Sequence, residues 1–113
     1  MEIPHECIDG LNIAVTISNN NADITYMNAK SKATFAKYGE TLINQSLYNC
    51  HGDESSRKIR EMLENGTENI YTIEKNGVKK MIVQMPWKHD GKIEGLVELS
   101  IEIPFEMPHF VRK

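Results

Sequence analysis

The sequence predicts an α+β fold, a five-stranded antiparallel sheet with helices over one face, and three observations predict it. Segments that alternate polar and apolar residues with period two stand at both ends of the 113-residue chain. Tight-turn residues separate these segments: Asn19-Asn20-Asn21, Asn76-Gly77 and Asp90-Gly91. Two segments with helical spacing lie between the first hairpin and the last three strands. Hairpins make the sheet antiparallel, and helices inserted at that point must cover one of its faces.

The first pair of strands is read over 12–18 and 23–26. In the former, Ile13, Val15 and Ile17 point one way and Asn12, Ala14, Thr16 and Ser18 the other. A short helix follows. Asn28 is its N-cap, because an asparagine side chain accepts a hydrogen bond from an early helical N–H. Ala29, Ala33 and Ala36 recur at helical spacing, which predicts close packing of this helix on a neighbour, and Gly39 stops it. Residues 40–52 are irregular, anchored by Leu42, Ile43 and Leu47.

A second helix opens at Asp53 as N-cap, with Glu54 in its positive first turn. Ile59, Met62 and Leu63 form its buried stripe, Glu54–Lys58 and Arg57–Glu61 are pairs at i, i+4, and Gly66 ends it. Strands are then expected over 67–74, 78–87 and 93–103. Met81, Val83, Met85 and Trp87 share one face of the second, and Val97, Leu99, Ile101 and Ile103 one face of the third. Gln84 is out of phase with the apolar set, so its side of the sheet stays undecided. The chain divides into a flanking segment 1–11, a core 12–103 and a tail 104–113.

Composition narrows the function classes. Apolar residues make up 40% and charged residues 26%, near the globular average. The net charge of −3 argues against a nucleic-acid surface, since Arg57-Lys58-Ile59-Arg60 is flanked by Asp53, Glu54, Glu61 and Glu64. No apolar run approaches the length of a membrane span, about 20 residues, and the start has no signal-peptide pattern. Cys7 and Cys50 form no CxxC, so a reducing cytoplasm is the expected setting, with a bond between them left open by spacing alone.

Several words of the sequence resemble those of PAS domains, in the same order and at similar distances. Ile24-Thr25-Tyr26-Met27-Asn28 looks like the second PAS strand running into a capping Asn. Asn44-Gln45-Ser46-Leu47 looks like the "IGKSL" word with Asn44 in place of Gly, Asp53–Leu63 like the "PESREKIREML" helix, and Lys88–Gly95 like the "DEDGKIIG" hairpin. The resemblance spans roughly 12–103. Cys50-His51 is similar to the "CHP" ending of PAS domains that accompany hemerythrin-like domains in some bacterial proteins, with Gly52 replacing the proline. It implies a sensor domain with a small cavity between helices and sheet. It also implies a homodimer formed through the outer sheet face and an N-terminal segment, here Ile3, Ile8 and Leu11.

Three chemistries are weighed on this frame. Flavin photochemistry is disfavoured, because alignment on Gly52 puts the flavin-bonding position at Leu47, and the Asn expected at the ring edge falls near Lys80. Haem is the cofactor the residues allow: neutral imidazole is a good iron ligand, His51 stands at the start of the central helix, and Met62 and Met81 supply apolar pocket walls. The opposing view makes His51 a surface histidine and the methionines core filler. A catalytic or metal role is not expected. His5, Cys7, Cys50 and His51 have zinc-binding atoms, but the first pair lies near the terminus, the second pair is adjacent in sequence, and no triad, paired carboxylate or phosphate loop stands out.

The expected function is therefore a non-enzymatic sensory module that binds a small ligand or a partner protein and relays a conformational change. Two alternatives stand beside it: a haem-based gas or redox sensor through His51, and a ligand-free interaction module with a filled core. Gln84 and Ser100 discriminate, since both are out of place in a filled core if they face inward.

Overall fold

The computed structural model describes residues 5–39, 42–50 and 52–113, without the side chains of His5 and Cys50. The described elements run in the order α1 (His5–Asp9), β1 (Ala14–Ser18), β2 (Ile24–Met27), α2 (Ala29–Thr34), a 3-10 turn (Ala36–Tyr38), a second 3-10 turn (Leu47–Cys50), α3 (Asp53–Asn65), β3 (Asn69–Lys75), β4 (Val78–His89) and β5 (Lys92–Ile103). The five strands form one antiparallel sheet in the order β2-β1-β5-β4-β3. The first and last strands of the chain thus meet at the centre, and α2 and α3 occupy the crossover between β2 and β3.

The turns follow the chemistry read from the sequence. Asn76 and Gly77 both have positive φ, as do Asp90 and Gly91, which is the backbone that two-residue hairpins require. In the first hairpin the Asn19 side chain accepts from the N–H groups of Asn21 and Asp23. The left-handed residue there is Ala22 (φ 66°), fully buried. Asn44, at the position where the resembling PAS word has Gly, is also left-handed, with φ 74°. Asparagine is among the few residues that take this conformation at small cost. The loop around it zips onto the edge of β2: Ile24 N–H donates to Gln45 O, Asn44 N–H to Ile24 O, and Leu47 N–H to Ala22 O.

Helix α3 ends at Gly66 in the left-handed conformation (φ 75°), as expected. Its N-cap is Gly52, not Asp53, which is the first helical residue; with Glu54 it places negative charge in the first turn without a side-chain cap bond. Arg57 pairs with both Glu54 and Glu61 on the exposed face. Ile59 and Met62 of α3 are each 1% exposed and pack with Ile24, Met27, Leu42, Leu47 and Leu96 in the main core. Burying side chains of this size is worth about 2 kcal/mol each.

Helix α2 departs from expectation. Ala29, Ala33 and Ala36 are exposed, and Ser31 is the residue that α2 buries. Close packing comes instead from the Ser31 Oγ–Thr16 Oγ1 hydrogen bond, 2.6 Å, which clamps α2 to β1. Among the described residues no helix is long and apolar enough to cross a membrane. Cys7 is exposed and free.

Candidate functional site: the covered face of the sheet

Strand register decides which side chains lie under the helices. Thr16 stands opposite Met27 of β2 and opposite Glu98 of β5. Glu98 stands opposite Gln84 of β4, and Gln84 opposite Asn69 of β3. One row, Met27-Thr16-Glu98-Gln84-Asn69, therefore crosses all five strands. The next row is Ala14-Ser100-Ile82-Tyr71. Because side chains alternate between faces, the apolar partners Val83, Leu99 and Val15 form the other face.

The face beneath the helices is the first of these two. Thr16 bonds Ser31 of α2, and Gln84, Glu98 and Ser100 line the same cleft as Thr34, Phe35 and Tyr38 from the helical side. Gln84 and Ser100 are buried, at 5% and 9% exposure. The covered face is thus the polar one, and the more apolar face is turned outward.

The row is wired by side chains. Asn69 Nδ2 donates to Gln84 Oε1 at 3.0 Å, and Gln84 Nε2 donates to Glu98 Oε2 at 2.9 Å. A carboxylate only accepts, so it orients the Gln84 amide, which in turn orients Asn69. Among the described residues every buried side-chain nitrogen and oxygen has a hydrogen-bond partner. The neighbouring Tyr71 phenol is held above its ordinary pKa, first by burial and then by the charge of Glu98. It therefore stays protonated and able to donate throughout the neutral range.

Three cavities run along this face. An apolar one of about 90 Å³ is walled by Ile24, Met27, Phe35, Leu42 and Leu47, with Thr16, Tyr38 and Glu98 at its edge. A cleft of about 230 Å³ continues from it past Glu98 to Gln84, Tyr71 and Ser100. A third, of about 280 Å³, shares Tyr71 and Gln84 and reaches Ser55 and Lys58 of α3. Glu98, Phe35 and Tyr38 belong to both of the first two, so the three are neighbouring parts of one tract.

The tract is tied to the N-terminal segment by Asn28, which is completely buried. Its Oδ1 accepts from Ser31 N–H, capping α2, and from Val15 N–H of β1, both at 2.9 Å. Its Nδ2 donates to Ile8 O of α1 at 3.0 Å and to Ile13 O at 2.8 Å. One side chain thus joins α1, β1 and α2.

The residues singled out by sequence are not brought together. Met62 sits in the main core and borders a small surface cleft with Lys58 and Asn69. Met81 stands opposite Ile101 on the outward face, half-buried. His51 lies outside the described residues. Sequence reasoning did not single out Glu98, Tyr71, Asn69 and Phe35; the signal was there in Gln84 and Ser100, whose phase points to the same face. Among the described residues no group of three or more His, Cys, Asp or Glu side chains could hold a metal ion.

No family model matches the sequence, and no curated protein matches it either. Solved structures do match. A sensory box sensor histidine kinase from Vibrio cholerae aligns with 17% identity and TM-score 0.62, over 90% of each chain. The Aer2 receptor from Vibrio cholerae, a dual PAS-heme oxygen sensor, aligns with 12% identity and TM-score 0.61, over 86% of this chain and 99% of that one. The protein has the PAS fold. VqmA bound to DPO adds a ligand-bearing example, with 17% identity and TM-score 0.66 over 89% of this chain and 56% of that one. At these identities the likeness concerns the PAS architecture itself: a five-stranded sheet of this order with helices over one face.

Proposed function

We propose that this PAS domain is a sensory and signalling module that binds a small ligand between the Phe35–Tyr38 segment and the covered face of the sheet. The observation that carries the reading is the burial of Gln84 and Ser100 on that face, beside Glu98 and next to open volume. A filled interaction core would place apolar side chains there, since burying polar groups costs free energy unless each is paired. Occupancy would press on Phe35 and on α2, and Asn28 would pass the displacement to α1 through Ile8 O. The ligand acts by favouring one of two arrangements, so it must bind them with different affinity.

A fragment screen by 1H–15N NMR tests this. Binders are expected to shift the amides of Phe35, Tyr38, Glu98 and Ser100, with secondary shifts at Asn28 and Ile8. Shifts confined to the outward face, or no binder at millimolar concentration, would sink the reading.

Self-association is a second reading with its own observation. On the outward face Ile70 is 56% exposed, beside half-buried Met81, Met85 and Leu99. A contiguous apolar face of this kind marks a contact surface, and VqmA from Vibrio cholerae is a dimer. Sedimentation equilibrium across the micromolar range is expected to show a dimer that Ile70→Lys weakens at least about tenfold. A wild-type chain that stays monomeric at high micromolar concentration would overturn the self-association reading and leave ligand binding untouched.

A further inference from the structure

The helices do not shield the covered face of the sheet to its end. Beyond the row that holds Tyr71, Ile82 and Ser100 comes Ile73-Lys80-Glu102, and beyond that Lys75 stands opposite Val78. Tyr71, Ile73 and Val78 are 41%, 39% and 37% exposed there, although side-chain alternation sets them on the same face as buried Ile82 and Gln84. Tyr71 and Ile73 form one wall of the 230 Å³ cleft, across from Phe35 and Tyr38. Three lysines from three elements line the same cleft: Lys37 of the 3-10 turn, Lys75 of β3 and Lys80 of β4. Among the described residues none of the three has an ion-pair partner. Resting on the ligand-binding reading above, we infer that the ligand is a small organic carboxylate, its head group held by these lysines and its apolar body laid against Tyr71, Ile73 and Phe35.

The carboxylates on this face do not cancel the three charges. Glu102 stands opposite Lys80 but is paired with Lys30 of α2, at 3.8 Å, so one acid serves two lysines. Glu98 lies four residues back along β5, about 13 Å at the rise of a strand. It accepts from Gln84 and has a further interaction of its own. Lys37 lies over the Tyr38 ring at 5.0 Å, a contact that offsets no full charge. This end of the cleft is thus cationic and apolar at once, in a chain whose net charge is −3. An organic carboxylate meets both features. Its oxygens take charge-assisted hydrogen bonds from ammonium groups, about twice as strong as neutral ones, and flexible lysine stems let several heads reach one group. Its body removes the open faces of Tyr71 and Ile73 from water. A cation would face three like charges, and a neutral ligand would leave them without a partner.

Three probes with one carbon chain and three head groups decide the matter: hexanoate, 1-hexanol and hexylamine, titrated into the intact chain at neutral pH and followed by 1H–15N NMR. Hexanoate is expected to bind about tenfold or more tightly than the other two, with its largest shifts at Tyr38, Tyr71, Ile73 and Lys80. The double variant Lys75→Gln, Lys80→Gln is expected to abolish that preference while hexanol binding persists. Lys79→Gln is the control for overall charge, because Lys79 stands opposite Glu74 and Ile103 on the outward face; it should leave the preference intact. Hexanol or hexylamine binding as tightly as hexanoate at these residues would overturn the carboxylate class and leave the cleft standing. So would a preference that survives the double variant or falls equally in Lys79→Gln. No shift at these residues with any probe would overturn the carboxylate class and count against the cleft as well. The wild-type ranking does not depend on how the variants fold.

Discussion

Asn28→Ala is expected to cost about 3 kcal/mol or more of stability, the larger share from burial rather than from helix capping. Removing the cap on α2 accounts for about 1 kcal/mol. The remainder comes from the buried Val15 N–H and the part-buried carbonyls of Ile8 and Ile13, which lose their partner, at about 1–3 kcal/mol for an orphaned group that is fully buried and less for the two carbonyls. For a domain near 100 residues that lowers the thermal midpoint by roughly 12 °C or more. Thermal unfolding followed by circular dichroism measures it. Asn28→Asp separates the contributions: its carboxylate can still accept from Ser31 and Val15, but it cannot donate and turns negative charge toward the Ile8 and Ile13 carbonyls. It should rescue little. Hydrogen exchange should show α1 losing protection first in both variants. If Asn28→Ala stays within about 1 kcal/mol of the wild type, capping alone would account for the residue, and the coupling of α1 to α2 would have to run elsewhere.

This residue also shows how far the sequence reaches. An asparagine ahead of a helical segment declares a cap, and the cap is present. That the other half of the same amide holds two carbonyls, 20 and 15 residues earlier in the chain, depends on long-range register that no local pattern contains. The same division runs through the fold. Hairpins were legible because Asn-Gly and Asp-Gly carry their backbone requirement locally. The start of α3 was read one residue late, since Gly52 caps without offering a side chain.

Solvent-facing alanines in α2 misled for a different reason. Helical spacing of small residues describes a face, but it does not say which face is covered, and the polar Ser31 won through its bond to Thr16. The sheet repeats that lesson on a larger scale. Alternation in β4 and β5 is unmistakable in the sequence, and it divides each strand correctly into two sets. Apolar content alone would send Met81, Val83, Met85 and Leu99 under the helices. The structure places Gln84, Glu98 and Ser100 there instead. An interior designed only for stability would not do so, so the inversion itself is the functional signal. It was visible before the structure only as a conditional: Gln84 and Ser100 would be odd if they faced inward.

The central strands carry a second position with a large expected effect. Gly95→Ala should cost about 3 kcal/mol or more, because the added methyl has no room. A Cβ at position 95 would lie 1.9 Å from the carbonyl oxygen of Ser18, 2.8 Å from its carbonyl carbon and 2.5 Å from Nε1 of Trp87. Two of those atoms are backbone, so β1 and β5 must separate locally. That movement breaks the Trp87 Nε1–H donation to Ser18 O, 3.1 Å, and the Leu96 N–H donation to Ser18 Oγ, 3.2 Å. These bonds lie where the β1–β2 register shifts at Ile17/Ser18 and the β4–β5 register shifts at Trp87/Lys88, so side chains there do the work that ladder pairing does elsewhere.

Gly91→Ala is the control. Its Cβ would meet nothing within 4 Å, and only its φ of +77° penalises a side chain, at about 1–2 kcal/mol. Chemical denaturation should therefore rank Gly95→Ala clearly below Gly91→Ala. Trp87 is the single tryptophan of the chain, so its emission reports the site directly and should move to the red in Gly95→Ala alone. Equal destabilisation with unchanged emission would mean that the strands absorb the methyl without parting, and that Trp87 does not depend on the close approach of Gly95 to Ser18.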